Sequence, residues 1–179
     1  LITASNDSKP LEGVVIVIDY GSGTTGFIRE LFENLGAEVI DILARPNPEF
    51  PIHMPDPNDS ENLELLQHYI RELGKQPQYK NRRIVGIAFD TDGDRVGFVT
   101  GTAAICSGSY LLAVLAQGAC AEKQGNSILF NCRACPALAP LIESIGGRAV
   151  WGHTGYASLR KDMKKEAARL EAEDPEHVV

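Results

Sequence analysis

The sequence has no apolar run long enough to span a bilayer, and no signal peptide precedes its first apolar segment. It also lacks a disulfide framework, because four cysteines are too few and too scattered for one in a chain of this size. Net positive charge is missing as well, since the formal net charge is -7 and the pI is near 5.1. These absences predict a cytoplasmic protein whose main partner is neither a membrane nor a nucleic acid.

Two of the cysteines, Cys132 and Cys135, have the Cys-x-x-Cys spacing of redox motifs and lie between a predicted strand and a predicted helix. No second cysteine pair completes a zinc site, and neither Cys106 nor Cys120 has a suitable neighbour in the sequence. Neither a redox function nor a zinc site is therefore expected.

The 179 residues, of which 44% are hydrophobic, exceed one typical domain and suffice to bury a sizeable core. One large domain and two small domains are both compatible with this length. The chain starts at Leu1 rather than at a methionine, so we expect it to be a piece of a longer protein. Residues 1–10 are polar and are predicted to be a linker or a remnant.

Strand and helix patterns alternate in the first hundred residues. Residues 14–18 form an apolar, β-branched run typical of a buried strand, and residues 27–35 carry an apolar helical face. Residues 37–43 are the next predicted strand, which completes a β-α-β unit with parallel strands. Next come a proline-rich loop (residues 45–59), a helix over 62–73 and strands over 84–89 and 96–100.

After residue 100 the alternation starts again, which predicts a second α/β domain. Its predicted elements are a helix over 110–121, a strand over 127–131, a helix over 136–145, a strand over 148–151 and a helix over 157–172. The predicted fold class is α/β, with two three-layer α/β/α domains and mixed, mostly parallel sheets. We place these domains at residues 11–101 and 102–179.

The turn after the first strand (residues 19–26, the glycine-rich turn) contains Gly21, Gly23 and Gly26 in the spacing of a dinucleotide-binding fingerprint. Asp41 lies at a suitable distance downstream for a nicotinamide-cofactor site. The glycines follow the strand by two extra residues, however, so a tight strand-to-helix turn is the favoured interpretation.

The stretch over residues 83–100 places three carboxylates at alternate positions between two apolar runs. Asp90, Asp92 and Asp94 are followed by Arg95, with a glycine among the acids. Crowded carboxylates repel one another, so the arrangement favours a cation between them. The alternative is a solvated turn, for which aspartate and glycine are ordinary residues.

Three segments of the predicted first domain form a set of motifs. Residues 50–57 (Phe-Pro-Ile-His-Met-Pro-Asp-Pro) are followed, at a helix-plus-strand distance, by residues 89–95 (Phe-Asp-Thr-Asp-Gly-Asp-Arg). Residues 19–23 read Asp-Tyr-Gly-Ser-Gly at the end of a strand. In this order the chain resembles the α-D-phosphohexomutases, the phosphoglucomutase and phosphomannomutase family. The similarity runs from about Leu11 to the C-terminus and corresponds to the two middle domains of a four-domain enzyme.

This resemblance implies roles for the acids and the arginine. Asp90, Asp92 and Asp94 match the family's Mg2+ ligands, whose fourth ligand is a phosphoserine, and Arg95 matches the arginine that holds the transferring phosphoryl group. Family members are isomerases of carbohydrate metabolism that move a phosphate between the 1- and 6-positions of a hexose through a bisphosphate intermediate. Mg2+ prefers oxygen ligands and arginine offers a forked donor to phosphate, so the residue types agree with that chemistry.

The second domain matches the family less closely. The resemblance implies phosphosugar-binding roles for Arg133, Thr154, Gly155, Tyr156 and Glu173, and an acid-base role for His177. An ordinary exposed histidine is the alternative for His177. Arg133 replaces a lysine of the family and Tyr156 a histidine, while Pro175 and Glu176 replace a serine and a glycine of the sugar-recognition loop. The last two changes should hinder phosphosugar binding.

Three hypotheses follow from the sequence. The first is a fragment of an Mg-dependent phosphohexomutase, which should be inactive without the phosphoserine and C-terminal domains of its parent protein. The second is a noncatalytic relative that acts as a binding module, suggested by the replaced residues of the second domain. The third is a haloacid-dehalogenase-type phosphatase with Asp90 as nucleophile and Asp92 as its acid-base partner. In that motif a threonine or a valine usually follows the glycine, whereas this chain has Asp94 and Arg95 there.

Overall fold

The computed structural model of the chain describes residues 9–173. The chain divides into two compact units, Leu1–Cys106 (the first unit) and Ser107–Val179 (the second unit). Both units are built from alternating strands and helices, and the larger sheet is mixed. The predicted α/β fold class is therefore confirmed.

The described part of the first unit contains a five-stranded sheet and two α-helices. The strands are β1 (Val14–Asp19), β2 (Glu38–Ile42), β3 (Arg83–Phe89), β4 (Val96–Thr100) and β5 (Ile105–Cys106), and the helices are α1 (Ile28–Asn34) and α2 (Glu64–Lys75). Their order across the sheet is β2-β1-β3-β4-β5. The first three strands in this order pair in parallel, whereas β4 and β5 continue the sheet antiparallel.

The two helices of the first unit cover opposite faces of its sheet, because the side chains of a strand alternate between faces. On one face Val15 and Val17 of β1 share a core with Leu66 of α2. On the other face Ile16 shares a core with Phe32 of α1. All of β1 is therefore buried, as its apolar β-branched sequence predicts.

The second unit has a smaller sheet. Its elements are α3 (Gly108–Glu122), β6 (Ser127–Phe130), α4 (Leu138–Ser144), β7 (Arg148–Trp151) and α5 (Tyr156–Glu173). The strands β6 and β7 pair in parallel, and their core contains the buried side chains of Ala116, Phe130, Leu138 and Ile142. None of the helices within residues 9–173 combines the length and the apolarity that crossing a membrane requires.

Each predicted helix and strand is present with limits within two residues of the prediction, and one strand was not predicted. Ile105–Cys106, for which no strand was predicted, pairs with β4, so the first unit ends at Cys106 rather than at residue 101. Two residues are too short a stretch for an alternating pattern to reveal a strand. The last helix ends at Glu173, as the prediction of an end near residue 172 requires.

Candidate functional site

The candidate site lies at the edge where the parallel strands of the first unit end. β1 ends at Asp19 and β3 ends at Phe89, and because these strands are parallel neighbours their carboxyl ends lie side by side. The glycine-rich turn follows β1, and the connection from β3 to β4 (residues 90–95, the acidic loop) follows β3. The proline-rich loop reaches the same edge, since Pro55 packs against Gly21.

Three carboxylates converge in the acidic loop. One oxygen each from Asp90, Asp92 and Asp94 lies within 4.8 Å of the other two. Asp90 is only 1% exposed, whereas the other two acids are open to solvent. This tight turn requires a glycine at position 93, because its φ is +78°. A Cβ at this position would also lie only 2.4 Å from Cγ2 of Thr25.

The charges of this cluster favour a bound cation. Hydrogen bonding with Asp90, together with the negative charges of Asp90 and Asp92, raises the pKa of Asp94. Burial raises the pKa of Asp90, but hydrogen bonds with the Arg95 backbone, with Asp94 and with the Arg95 side chain outweigh it and lower that pKa. A hard divalent cation such as Mg2+ prefers oxygen donors and relieves such repulsion, so the three acids fit this kind of ion.

Arg95 ends the acidic loop with its guanidinium held by two carboxylates. Nε donates to Oδ2 of Asp90 at 2.7 Å, and Nη1 donates to Oδ1 of Asp56 at 2.8 Å. The backbone N–H of Arg95 also donates to Oδ1 of Asp90 at 3.1 Å. Asp56 belongs to the proline-rich loop, and sequence reasoning assigned it no role although it stands within the motif of residues 50–57. The side chain of Arg95 is 48% exposed, so its remaining N–H groups are accessible.

The glycine-rich turn packs closely against the acidic loop. A Cβ at Gly23 would lie 2.6 Å from the carbonyl oxygen of Thr91. The backbone N–H and Oγ1 of Thr24 both donate to that same oxygen, at 2.9 and 3.0 Å. Asp41, a candidate ribose ligand in the dinucleotide interpretation, accepts a hydrogen bond from the hydroxyl of Tyr20 at 3.0 Å. These contacts support the favoured interpretation, in which the glycines serve a tight turn.

A partly buried ion pair fastens the proline-rich loop to the end of β1. Asp19 is fully buried; its Oδ1 accepts from the backbone N–H of Gly21 at 2.8 Å, and its Oδ2 lies 3.0 Å from Nε2 of His53. Nδ1 of His53 lies 2.9 Å from the carbonyl oxygen of Met54, which can only accept a hydrogen bond. Both ring nitrogens thus face acceptors, which favours the imidazolium. The hydrogen bond to Asp19 accordingly raises the pKa of His53 against the opposing effect of burial.

In the second unit, four predicted substrate-binding residues follow the two parallel strands. Arg133 comes shortly after β6, and Thr154 and Gly155 come shortly after β7, so the three lie toward the same sheet edge. Arg133 lines a groove of about 460 Å³ together with Ser109. Tyr156 is the first residue of α5 and is 80% exposed.

The other two predicted residues of the second unit do not join this group. Glu173, expected in a loop, is the last residue of α5, about 25 Å along the helix axis from its first residue. Its carboxylate pairs with Arg169 one turn earlier, which favours the continued helix. His177 lies outside the described residues, as do Pro175 and Glu176.

Comparison with known proteins gives consistent similarities. Residues 2–103 match a family model described as phosphoglucomutase/phosphomannomutase, alpha/beta/alpha domain II. A phosphomannomutase/phosphoglucomutase of Pseudomonas putida is 38% identical over 173 residues, which are 96% of this chain and 36% of that protein. A phosphoglucomutase of Neisseria gonorrhoeae is 33% identical over 164 residues, which are 91% of this chain and 34% of that protein.

The fold comparison agrees with these similarities. The crystal structure of a phosphoglucomutase/phosphomannomutase family protein from Burkholderia thailandensis matches with a TM-score of 0.75 and 29% identity, covering 85% of this chain and 32% of that one. The chain spans about a third of the length of the curated relatives it matches. With its first unit matched almost throughout by the family model, the chain belongs to the phosphoglucomutase/phosphomannomutase family.

Proposed function

We propose that this chain supplies the metal-binding half of the active site of a phosphohexomutase. The reaction is the Mg2+-dependent interconversion of hexose 1-phosphate and hexose 6-phosphate through a phosphoserine enzyme and a bisphosphate intermediate. The observation that carries the proposal is the convergence of Asp90, Asp92 and Asp94 beside Arg95 in a chain of this family. We place the phosphoserine and the C-terminal domain outside this chain, in a cytoplasmic parent protein, so the chain alone is inactive.

The residues of the acidic loop have two different roles in this proposal, metal binding and phosphoryl binding. Asp90, Asp92 and Asp94 would hold Mg2+ through carboxylate oxygens, and the bound ion supplies positive charge to the phosphoryl oxygens. Asp90 is positioned in advance, because it is buried and hydrogen-bonded by Arg95. Arg95 keeps N–H groups beyond those that bind Asp90 and Asp56, and these donate to an oxygen of the transferring group.

The second unit, in this proposal, contacts the phosphosugar. Arg133 offers the planar, forked donor set of a guanidinium, so its role in this proposal is to bind phosphate oxygens. Thr154, Gly155 and Tyr156 contribute the neighbouring loop, with hydroxyl and backbone groups open to solvent. For Glu173 as a sugar contact, and for His177 as the acid-base residue, the support is the motif similarity alone.

A noncatalytic binding module is the second candidate. The observation that favours it is Tyr156 in the place of the family's histidine, because a tyrosine hydroxyl is a far weaker acid than an imidazolium. A phosphatase with Asp90 as nucleophile is disfavoured. Both oxygens of Asp90 accept hydrogen bonds from Arg95, and the side chain is buried.

The test uses the full protein that contains this chain, with glucose 1-phosphate and mannose 1-phosphate as substrates. We expect Mg2+-dependent formation of the 6-phosphates, followed by phosphorus NMR. Asp92→Asn should lower kcat by at least about a hundredfold, because it removes a charge from the metal-binding set. The matched control is Asp59→Asn in the same unit, since asparagine preserves the capping acceptor that Asp59 provides before α2.

Mg2+ affinity is measured separately by calorimetry. Lost activity with unchanged Mg2+ affinity in Asp92→Asn would contradict the metal-binding assignment. Mg2+ binding without interconversion of either sugar would select the noncatalytic module. Release of inorganic phosphate in place of interconversion, abolished by Asp90→Asn, would select the phosphatase.

A further inference from the structure

The proline-rich loop contributes a second carboxylate to Arg95. Oδ1 of Asp56 accepts from Nη1 of Arg95 at 2.8 Å, while Oδ2 of Asp90 accepts from Nε at 2.7 Å. Asp56 is not one of the three acids whose oxygens converge in the acidic loop. The guanidinium therefore lies between the metal-binding set and a loop that is separate from it.

Asp56 is itself held in place within the proline-rich loop. Its Oδ1 accepts from the backbone N–H and from Nδ2 of Asn58 at 3.0 and 3.1 Å, and its carbonyl oxygen accepts from Nδ2 of Asn62 at 3.1 Å. The flanking Pro55 and Pro57 pack against glycines of the glycine-rich turn and of β4. The backbone N–H of Asn58 is the main cause that lowers the pKa of Asp56, so this acid is ionised at neutral pH.

These two contacts leave part of the guanidinium free. An arginine side chain has five N–H donors, of which Nε and one on Nη1 are used here. Within residues 9–173, Nη2 of Arg95 has no hydrogen-bond partner. Two acceptors on different nitrogens fix the plane of the guanidinium, so the direction in which Nη2 donates is fixed as well.

We infer that Asp56 is a positioning residue, which holds the Arg95 guanidinium in the plane that presents Nη2 to the transferring phosphoryl group. The inference rests on the proposed function, because it assumes that Arg95 meets a phosphoryl oxygen. The acidic loop does not fix this plane alone, since Asp90 and Asp94 both contact Nε, at 2.7 and 3.5 Å, and a cation competes for both carboxylates. Asp56 keeps its hydrogen bond from Nη1 of Arg95, because it lies outside the metal-binding set.

The test compares Asp56→Asn, Asp56→Glu and the control Asp59→Asn in the full protein that contains this chain. Asp56→Asn should lower kcat by about tenfold to a hundredfold, as expected when a transition-state contact is misoriented, with KM changed by less than about twofold. Mg2+ affinity and Tm should stay as in the wild type, whereas a merely structural role would lower both. Asp56→Glu keeps the charge and should recover part of the rate, and Asp59→Asn should match the wild type.

A second readout does not depend on activity. The Nε–Hε NMR resonance of Arg95, identified by its loss in Arg95→Lys, should shift and exchange faster with water in Asp56→Asn but not in Asp59→Asn. An unchanged resonance in Asp56→Asn overturns the inference whether or not the protein is active. An active wild type with an unchanged kcat in Asp56→Asn also overturns it. An inactive wild type whose resonance still shifts in Asp56→Asn overturns the proposed function instead.

Discussion

The two units share an alternation of strands and helices but differ in how much apolar surface they bury. In the first unit β1 is buried along its whole length, and helices cover both faces of the sheet. In the second unit the described sheet has two strands, and α5 contributes no buried residue. Large apolar side chains such as Tyr110, Leu115 and Trp151 are exposed there.

This difference bears on the candidate residues of each unit. A functional loop keeps its geometry only when the elements that carry it are themselves fixed by packing. The acidic loop connects two strands of the larger sheet, and the partly buried pair of Asp19 and His53 fastens the loop beside it. Arg133 follows a strand of a two-stranded sheet instead, and Tyr156 begins α5. We therefore expect the acidic loop of the first unit to be pre-organised and the candidate residues of the second unit to be less so.

The largest expected difference is between the stabilities of the units themselves. Trp151 is the single tryptophan of the chain and belongs to the second unit, so its fluorescence reports on that unit. We expect the fluorescence to change at a lower urea concentration than the last part of the far-UV circular dichroism signal, because stability follows buried apolar area. Coincident transitions would contradict the comparison.

Truncating one leucine in each unit sharpens the comparison. Leu66 is fully buried in the first unit, and Leu66→Ala should lower the free energy of unfolding by about 3 kcal/mol through the cavity it leaves. The control is Leu115→Ala in the second unit, where the side chain is 55% exposed and the loss should stay within about 0.5 kcal/mol. Urea denaturation of both variants measures the two losses. Equal losses would contradict the difference in burial between these two side chains.

The smallest expected effect concerns histidine ion pairs. His53 pairs with the buried Asp19, whereas Nδ1 of the exposed His153 lies 2.8 Å from Asp162 in the second unit. His53→Gln should lower the unfolding free energy of the first unit by about 2 kcal/mol at pH 6, because it weakens a hydrogen bond to a buried charge. His153→Gln, the matched control, should cause no measurable change, because an exposed pair is screened by solvent.

The pH dependence of the same pair has a definite sign. Folding raises the pKa of His53, so the pair contributes fully below about pH 6.5, the ordinary histidine value, and its contribution is lost as the pH rises through the raised value. The unfolding free energy of the first unit should therefore fall between pH 6 and pH 9, and fall less in His53→Gln. An identical pH dependence in the variant would contradict the imidazolium assignment.

Sequence reasoning located the acidic loop because its pattern is local. Alternate carboxylates after a buried strand are visible in six consecutive residues, and the structure brings their oxygens together. It did not pair Asp19 with His53, which lie 34 positions apart, or Asp56 with Arg95, which lie 39 apart. Those partners depend on the path of the proline-rich loop across the sheet edge, and no periodicity in the sequence encodes that path.

The sequence by itself determined the order of strands and helices, the buried central strand and the grouping of acids in the acidic loop, because propensity and periodicity act within one element. Only the tertiary structure decided which charges meet, because the carboxyl edge of a parallel sheet gathers the ends of segments that are distant along the chain. Asp56 shows the difference most clearly. In the sequence it is an acid between two prolines, and in the fold it is the second carboxylate that holds Arg95.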